Sequence, residues 1–201
     1  MKIIYGTSNR GKLQEIKDFF KNNKLNVEIL SLKDINFNKE IEENGKTFEE
    51  NSLTKAKAIK EFCNGNGINE IIITDDAGLC VDALDGRPGV FSARYAGDHA
   101  PQEVTINKLL NEMKDVPEEK RTAKFVCVLT AILKDKKVIV ARGETKGRIA
   151  KEPGPMGKLT YGPIFISDEF GKVMNELTAE QLKHTHREKA LIELLKKLNK
   201  K

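Results

Sequence analysis

The chain has 201 residues, 39% of them hydrophobic and 32% charged, with a formal net charge of +5. That apolar share can fill a core, which excludes wholesale disorder, and no apolar run approaches the length needed to cross a bilayer. Four positive charges sit at Lys196, Lys197, Lys200 and Lys201, and 28 Lys against 7 Arg with no Trp is the balance of a solvated surface, so neither a nucleic-acid nor a membrane partner is expected. Cys63, Cys80 and Cys127 are odd in number and widely spaced, which fits neither a disulfide framework nor a zinc site. With no apolar leader in residues 1–7, a cytoplasmic location is expected.

In chain order, Ile3-Ile4-Tyr5 predicts a short strand that ends at the polar loop Thr7-Ser8-Asn9-Arg10-Gly11-Lys12. A helix follows, with Leu13, Ile16, Phe19 and Phe20 on one face. Thr47 and Glu50 have the spacing of a capping box and open a helix with Leu53, Ala56, Ile59 and Phe62 on its apolar side, ended by Gly65 and Gly67. Ile71-Ile72-Ile73 reads as a buried strand carrying Thr74-Asp75-Asp76-Ala77-Gly78 at its C-terminal end. A Gly/Pro-rich loop at 85–89 and a short helix with Ile106, Leu109, Leu110 and Met113 come next. Residues 125–133 and 138–142 are β-branched segments around a charged turn, the pattern of a hairpin. Residues 151–162 form a loop, Thr178 opens another helix, and Leu191, Leu194, Leu195 and Leu198 stripe the last one. The alternation of strands and helices, without repeats or linkers, predicts one α/β domain over 1–201.

Four groups of residues carry chemistry. Two acids after a buried strand stand where α/β sheets bind ligands, and adjacent strand residues point to opposite faces, so Asp75 and Asp76 divide their tasks. One of them can hold a hard cation through oxygen; the pair reads equally as a turn before Gly78. Glu42-Glu43 offers another oxygen ligand or a solvated acidic loop. The 7–12 loop brings hydroxyls, an amide, a lysine and helix N-terminal N–H groups together as a phosphate cradle, although it lacks the ending of a Walker A loop. His186-Arg187 is a donor pair suited to a carbonyl or phosphate oxygen.

Taken together and in order, Thr7-Ser8-Asn9-Arg10-Gly11-Lys12, Thr47-Phe48-Glu49-Glu50-Asn51, Asp75-Asp76-Ala77-Gly78-Leu79, the run from Pro88 to Gly97 and His186-Arg187 resemble the inosine triphosphate pyrophosphatase family. The resemblance runs nearly end to end. It implies an elongated mixed α/β sheet with flanking helices and two lobes, the nucleotide lying in the cleft between them, and a homodimer. It also implies hydrolysis of inosine, deoxyinosine and xanthosine triphosphates to the monophosphate and pyrophosphate. By the same resemblance Thr7, Ser8, Asn9, Arg10, Gly11, Lys12 and Lys55 hold the triphosphate, Glu42 and Asp76 hold Mg²⁺, and Asp76 is also the proton acceptor.

Departures cluster at the base-reading end. The family's run Gly-Phe-Gly-Tyr-Asp-Pro is here Lys158-Leu159-Thr160-Tyr161-Gly162-Pro163, so Leu159, Thr160, Tyr161 and Gly162 form the expected base-contacting run without its aromatic stack or its acid. Ala77 stands where a Ser is usual and Gln181 where a Lys is usual, while His186 and Arg187 are kept. The reaction is therefore better marked than the base. The same chemistry on another nucleotide and a non-catalytic nucleotide-binding protein are the competing readings.

Overall fold

Two parallel strand pairings need crossovers, and the helices supply them. In the computed structural model, β1 (Lys2–Tyr5) lies between β2 (Glu28–Leu30) and β3 (Ile71–Val81), parallel to both. Helix α1 (Arg10–Asn22) joins β1 to β2, and α2 (Phe48–Gly65) precedes β3. The rest comprises α3 (Gln102–Glu112), β4 (Thr122–Ile132), β5 (Val138–Ile149), β6 (Phe165–Ser167) and α4 (His186–Asn199). The sheet has six strands in the order β2-β1-β3-β4-β5-β6, and β6 runs antiparallel to β5, so it is mixed. The structure describes residues 1–157 and 159–199; Lys158 of the expected base-reading run and Lys200 and Lys201 of the basic tail lie outside the described residues.

The chain divides into two compact units, one of Met1–Asp76, Val128–Arg142 and Ala190–Lys201, the other of Ala77–Cys127 and Gly143–Lys189. In the first, Ile4, Ile35, Phe37, Ala56, Ile59, Cys63, Ile72 and Ile132 form a buried cluster. Gly6 follows β1 where its N–H donates to Ile73 O at 2.8 Å, and a Cβ there would lie 2.4 Å from Ile59 and 2.6 Å from Thr74. Only glycine lets the chain leave the strand this close to its neighbours. In the second unit, Leu79, Ile106, Leu109, Phe125, Tyr161, Phe165 and Met174 belong to one core. There the buried Arg121 guanidinium donates to the carbonyls of Met113, Ile149 and Ala150, tying α3's exit to the end of β5. Among the described residues no helix is long and apolar enough to cross a membrane.

The structure corrects three expectations. The strand at Ile71 does not end before the acids but continues to Val81, so Asp75 and Asp76 are interior strand residues. Acids are poor strand formers in isolation, and here tertiary partners, described below, override that preference. Thr178 does not open an α-helix; a single 3₁₀ turn, Gln181–His184, follows it. The hairpin exists, with Leu133 N donating to Lys137 O at 2.9 Å, but its first strand begins earlier, at Thr122, and its second runs on to Ile149.

Candidate active site

The polar loop after β1 is built as a helix N-terminus. Asn9 caps α1, its Oδ1 accepting from Lys12 N at 3.1 Å, and Thr7 Oγ1 accepts from Asn9 N at 3.2 Å. Ser8, Asn9, Arg10 and Gly11 are exposed, Thr7 and Lys12 partly so. The first-turn amides of a helix have no intrahelical acceptor and face the positive end of its dipole, which suits an anion.

Lys12 Nζ donates to Asp75 Oδ2 at 2.9 Å, and the Tyr5 hydroxyl donates to Asp75 Oδ1 at 2.9 Å. Asp75 is only 2% exposed, so its charge is matched inside the fold by one ammonium and one phenol. This carboxylate therefore orients Lys12 rather than facing solvent itself.

Asp76, one residue on, serves the opposite face. Helix α2 is positioned over it by a complete capping box: Thr47 Oγ1 accepts from Glu50 N at 3.1 Å and Glu50 Oε2 accepts from Thr47 N at 3.2 Å. Asn51 and Lys55, one turn apart on that helix, then point at the same carboxylate. Asn51 Nδ2 donates to Asp76 Oδ2 at 3.0 Å while Lys55 Nζ stands 3.9 Å from Asp76 Oδ1. Burial pushes the Asp76 carboxyl above the ordinary aspartate range; the Lys55 charge and the Asn51 hydrogen bond pull the other way, and the Glu43 charge adds to the rise.

Glu42 is not part of this group. It is exposed, and its Oε2 accepts from Asn44 Nδ2 at 3.0 Å. The neighbouring Glu43 faces α2 instead, accepting from Lys55 Nζ at 2.7 Å. The reason is the turn at Gly45, whose N–H donates to Asn51 Oδ1 at 2.8 Å and where a Cβ would lie 2.6 Å from that oxygen. The loop docks on α2 through this contact and sets which of two adjacent acids faces in. The sequence reading offered Glu43 beside Glu42 and Asp75 beside Asp76 without separating them, and gave Asn51 no role; the capping box, which places Asn51 one turn before Lys55, was the available signal for Asn51.

In the second unit, Gln102 Nε2 donates to Leu159 O at 2.7 Å and to Thr160 O at 3.1 Å, so the expected base-reading run is pinned by α3. Leu159 is partly buried against the core and Thr160 exposed. Tyr161 is a core residue, its hydroxyl donating to Ser92 O at 2.8 Å, and its side chain is not offered to a ligand. Gln181 is also engaged locally: its Oε1 accepts from Thr178 N at 3.0 Å and its N–H donates to Thr178 Oγ1 at 3.3 Å, the reciprocal pattern of a capping box. Ala77 is partly buried on β3, and its methyl side chain carries no hydroxyl. His186 and Arg187 open α4, where Lys189 N donates to Thr185 O, and both are buried. The imidazole stacks on Phe125 with centroids 5.0 Å apart and planes at 15°. That packing sets them apart from an ordinary surface pair.

Carboxylates, two ammonium groups and a helix N-terminus gathered in one unit are the equipment of an enzyme that acts on phosphate groups. Residues 3–197 match the Ham1 family, and the chain belongs to it. It is 41% identical over 198 residues, 98% of this chain and 96% of its relative, to the dITP/XTP pyrophosphatase of Bacillus subtilis (strain 168). The solved structure of the Staphylococcus aureus Ham1 protein superposes with a TM-score of 0.84 at 33% identity, covering 98% of each chain. That of a Ham1 protein from Coxiella burnetii gives 0.87 at 29%, covering 100% of each.

Proposed function

We propose that this chain hydrolyses dITP, ITP and XTP to the monophosphate and pyrophosphate, removing deaminated purines from the nucleotide pool. The observation that carries the reading is the Asp76 group: a buried carboxylate of raised proton affinity, flanked by Lys55, Glu43 and Asn51, in a chain whose relatives bear the name dITP/XTP pyrophosphatase.

In the proposed reaction a water oxygen attacks the α-phosphorus, the bond from that phosphorus to the bridging oxygen breaks, and pyrophosphate leaves. The Asp76 carboxylate, which accepts from Asn51 at Oδ2 and faces Lys55 at Oδ1, takes the proton of the water. Burial tunes it for that task, since a base of raised pKa has more driving force for proton transfer at neutral pH. Lys12, Lys55 and the amides at the start of α1 neutralise the phosphates, with Thr7, Ser8, Asn9, Arg10 and Gly11 forming the loop around them.

Mg²⁺ fits the donor set, because Asp76 and Glu43 are hard oxygen ligands joined through one lysine. Among the described residues no group of three or more His, Cys, Asp or Glu converges to hold a metal. Mg²⁺ takes one or two carboxylates and completes its shell with phosphate and water. When bound, the ion supplies charge neutralisation at the phosphates. His186 and Arg187 are the donors proposed for the 6-oxo oxygen of the purine, with Leu159 giving apolar contact. A homodimer and a reducing, cytoplasmic setting belong to the same reading; the three cysteines are free thiols.

The same chemistry on another base is the second reading, favoured by the absence of a side chain at Gly162 and by the local engagement of Gln181. The test is a pyrophosphate-release screen with Mg²⁺ across all standard and deaminated triphosphates. Preference for inosine and xanthosine triphosphates is expected; release from none would overturn the proposal.

A further inference from the structure

Gly162 is buried, and its backbone is not left-handed, so conformation does not call for glycine there. Space does. A Cβ on Gly162 would lie 2.1 Å from Asn175 Oδ1 and 2.7 Å from its Cγ; one on Gly157 would lie 2.8 Å from Asn175 Nδ2. The Asn175 amide therefore fills the volume of a side chain at 162, seated between two glycines.

It is also held in one orientation. Asn175 belongs to the short 3₁₀ turn Met174–Glu176, whose neighbour Met174 is buried in the core of the same unit. Its Nδ2 donates to Pro155 O at 3.0 Å. A carbonyl accepts and cannot donate, so this bond fixes which end of the amide is nitrogen and leaves Oδ1 as the acceptor on the Gly162 side.

Resting on the proposed function, we infer that Asn175 is a specificity-determining residue that supplies to the purine the hydrogen-bond acceptor that position 162 lacks. A 6-oxopurine carries a ring N–H next to its carbonyl and donates it to such an oxygen. Adenine has a lone pair at that ring nitrogen, and two acceptors face each other unpaired. The selection is made by a neutral amide reaching in from the turn at 174–176 instead of by the 159–162 run itself.

The experiment measures kcat/KM for inosine and adenosine triphosphates in direct competition, on the wild type, Asn175→Ala, Gly162→Asp and the double variant. Both substrates meet the same sample, so the ratio is independent of the fraction folded. Asn175→Ala should lower the inosine-over-adenosine ratio roughly three- to tenfold, the range of one neutral hydrogen bond. Gly162→Asp alone must displace the Asn175 amide and should also lower it; the double variant, with that space cleared, should recover the wild-type ratio or exceed it. A ratio unchanged in Asn175→Ala, or a double variant no better than Gly162→Asp, would overturn the assignment while leaving the proposed function standing. A wild type that turns over no triphosphate would remove both.

Discussion

Asp76→Asn should abolish turnover without weakening the fold, and the structure says why the two effects separate. The carboxylate is 8% exposed and 3.9 Å from the Lys55 ammonium, an attraction of about 4 kcal/mol at an effective dielectric near 20. Taken alone, losing that would cost stability. The raised pKa shows that burial outweighs every favourable contact of the charged form, so the native state binds this proton more tightly than the unfolded chain does. A group of that kind costs stability as pH rises through the interval from the unfolded pKa, 3.8, to the higher native one, and the cost persists above it. The neutral isostere escapes that cost, keeps an oxygen for Asn51 Nδ2, and leaves Lys55 its 2.7 Å partner Glu43. The expected result at pH 7 is a Tm equal to or above that of the wild type, with pyrophosphate release down by roughly 10²- to 10⁴-fold, the usual worth of a general base. The assays are calorimetric unfolding and single-turnover release. A stable variant with near-normal release would refute the role of Asp76; a markedly lowered Tm would refute the charge accounting.

Lys12→Ala should weaken nucleoside triphosphate binding by roughly ten- to a hundredfold, the worth of a charge-assisted contact, and monophosphate binding far less; equal losses by calorimetry would place Lys12 away from the terminal phosphates. Glu43→Gln should raise the Mg²⁺ concentration for half-maximal activity roughly tenfold or more, while Glu42→Gln leaves it nearly unchanged, and a titration showing the reverse order would restore Glu42 to the metal. Gly6→Ala should destabilise by roughly 1–3 kcal/mol, because the new methyl meets the fully buried Ile59 and Thr74 side chains; an unshifted Tm would contradict the close approach at the end of β1.

Local rules carried the reading of the sequence a long way. The capping box at Thr47 is a short-range hydrogen-bond pattern and stands where its spacing placed it, and a helix does follow the strand at the 7–12 loop. Ile71-Ile72-Ile73 underestimates strand β3 because Asp75 is held in it by Tyr5 and Lys12, partners 70 and 63 residues away. The choice between Glu42 and Glu43 depends on how one loop lies on α2, a tertiary fact that two adjacent identical letters cannot convey. Gly162 looked like a simple loss for the same reason: the amide filling its place comes from Asn175, thirteen positions on, in a turn with no motif of its own.

The Tyr5–Asp75–Lys12 arrangement makes the lysine a contested cation. An ammonium that already has a counter-ion 2.9 Å away responds to an arriving anion only to the degree that the anion's charge exceeds what Asp75 supplies. On the proposed reaction, a triphosphate chain exceeds that charge several-fold, whereas the singly esterified phosphate left once pyrophosphate has separated, at about −1.5 to −2, exceeds it by much less. Lys12 on that reading favours the triphosphate over the monophosphate more strongly than a lysine without a counter-ion would. The buried acid thus grades occupancy by charge, biasing the proposed site toward release after the bond is cut.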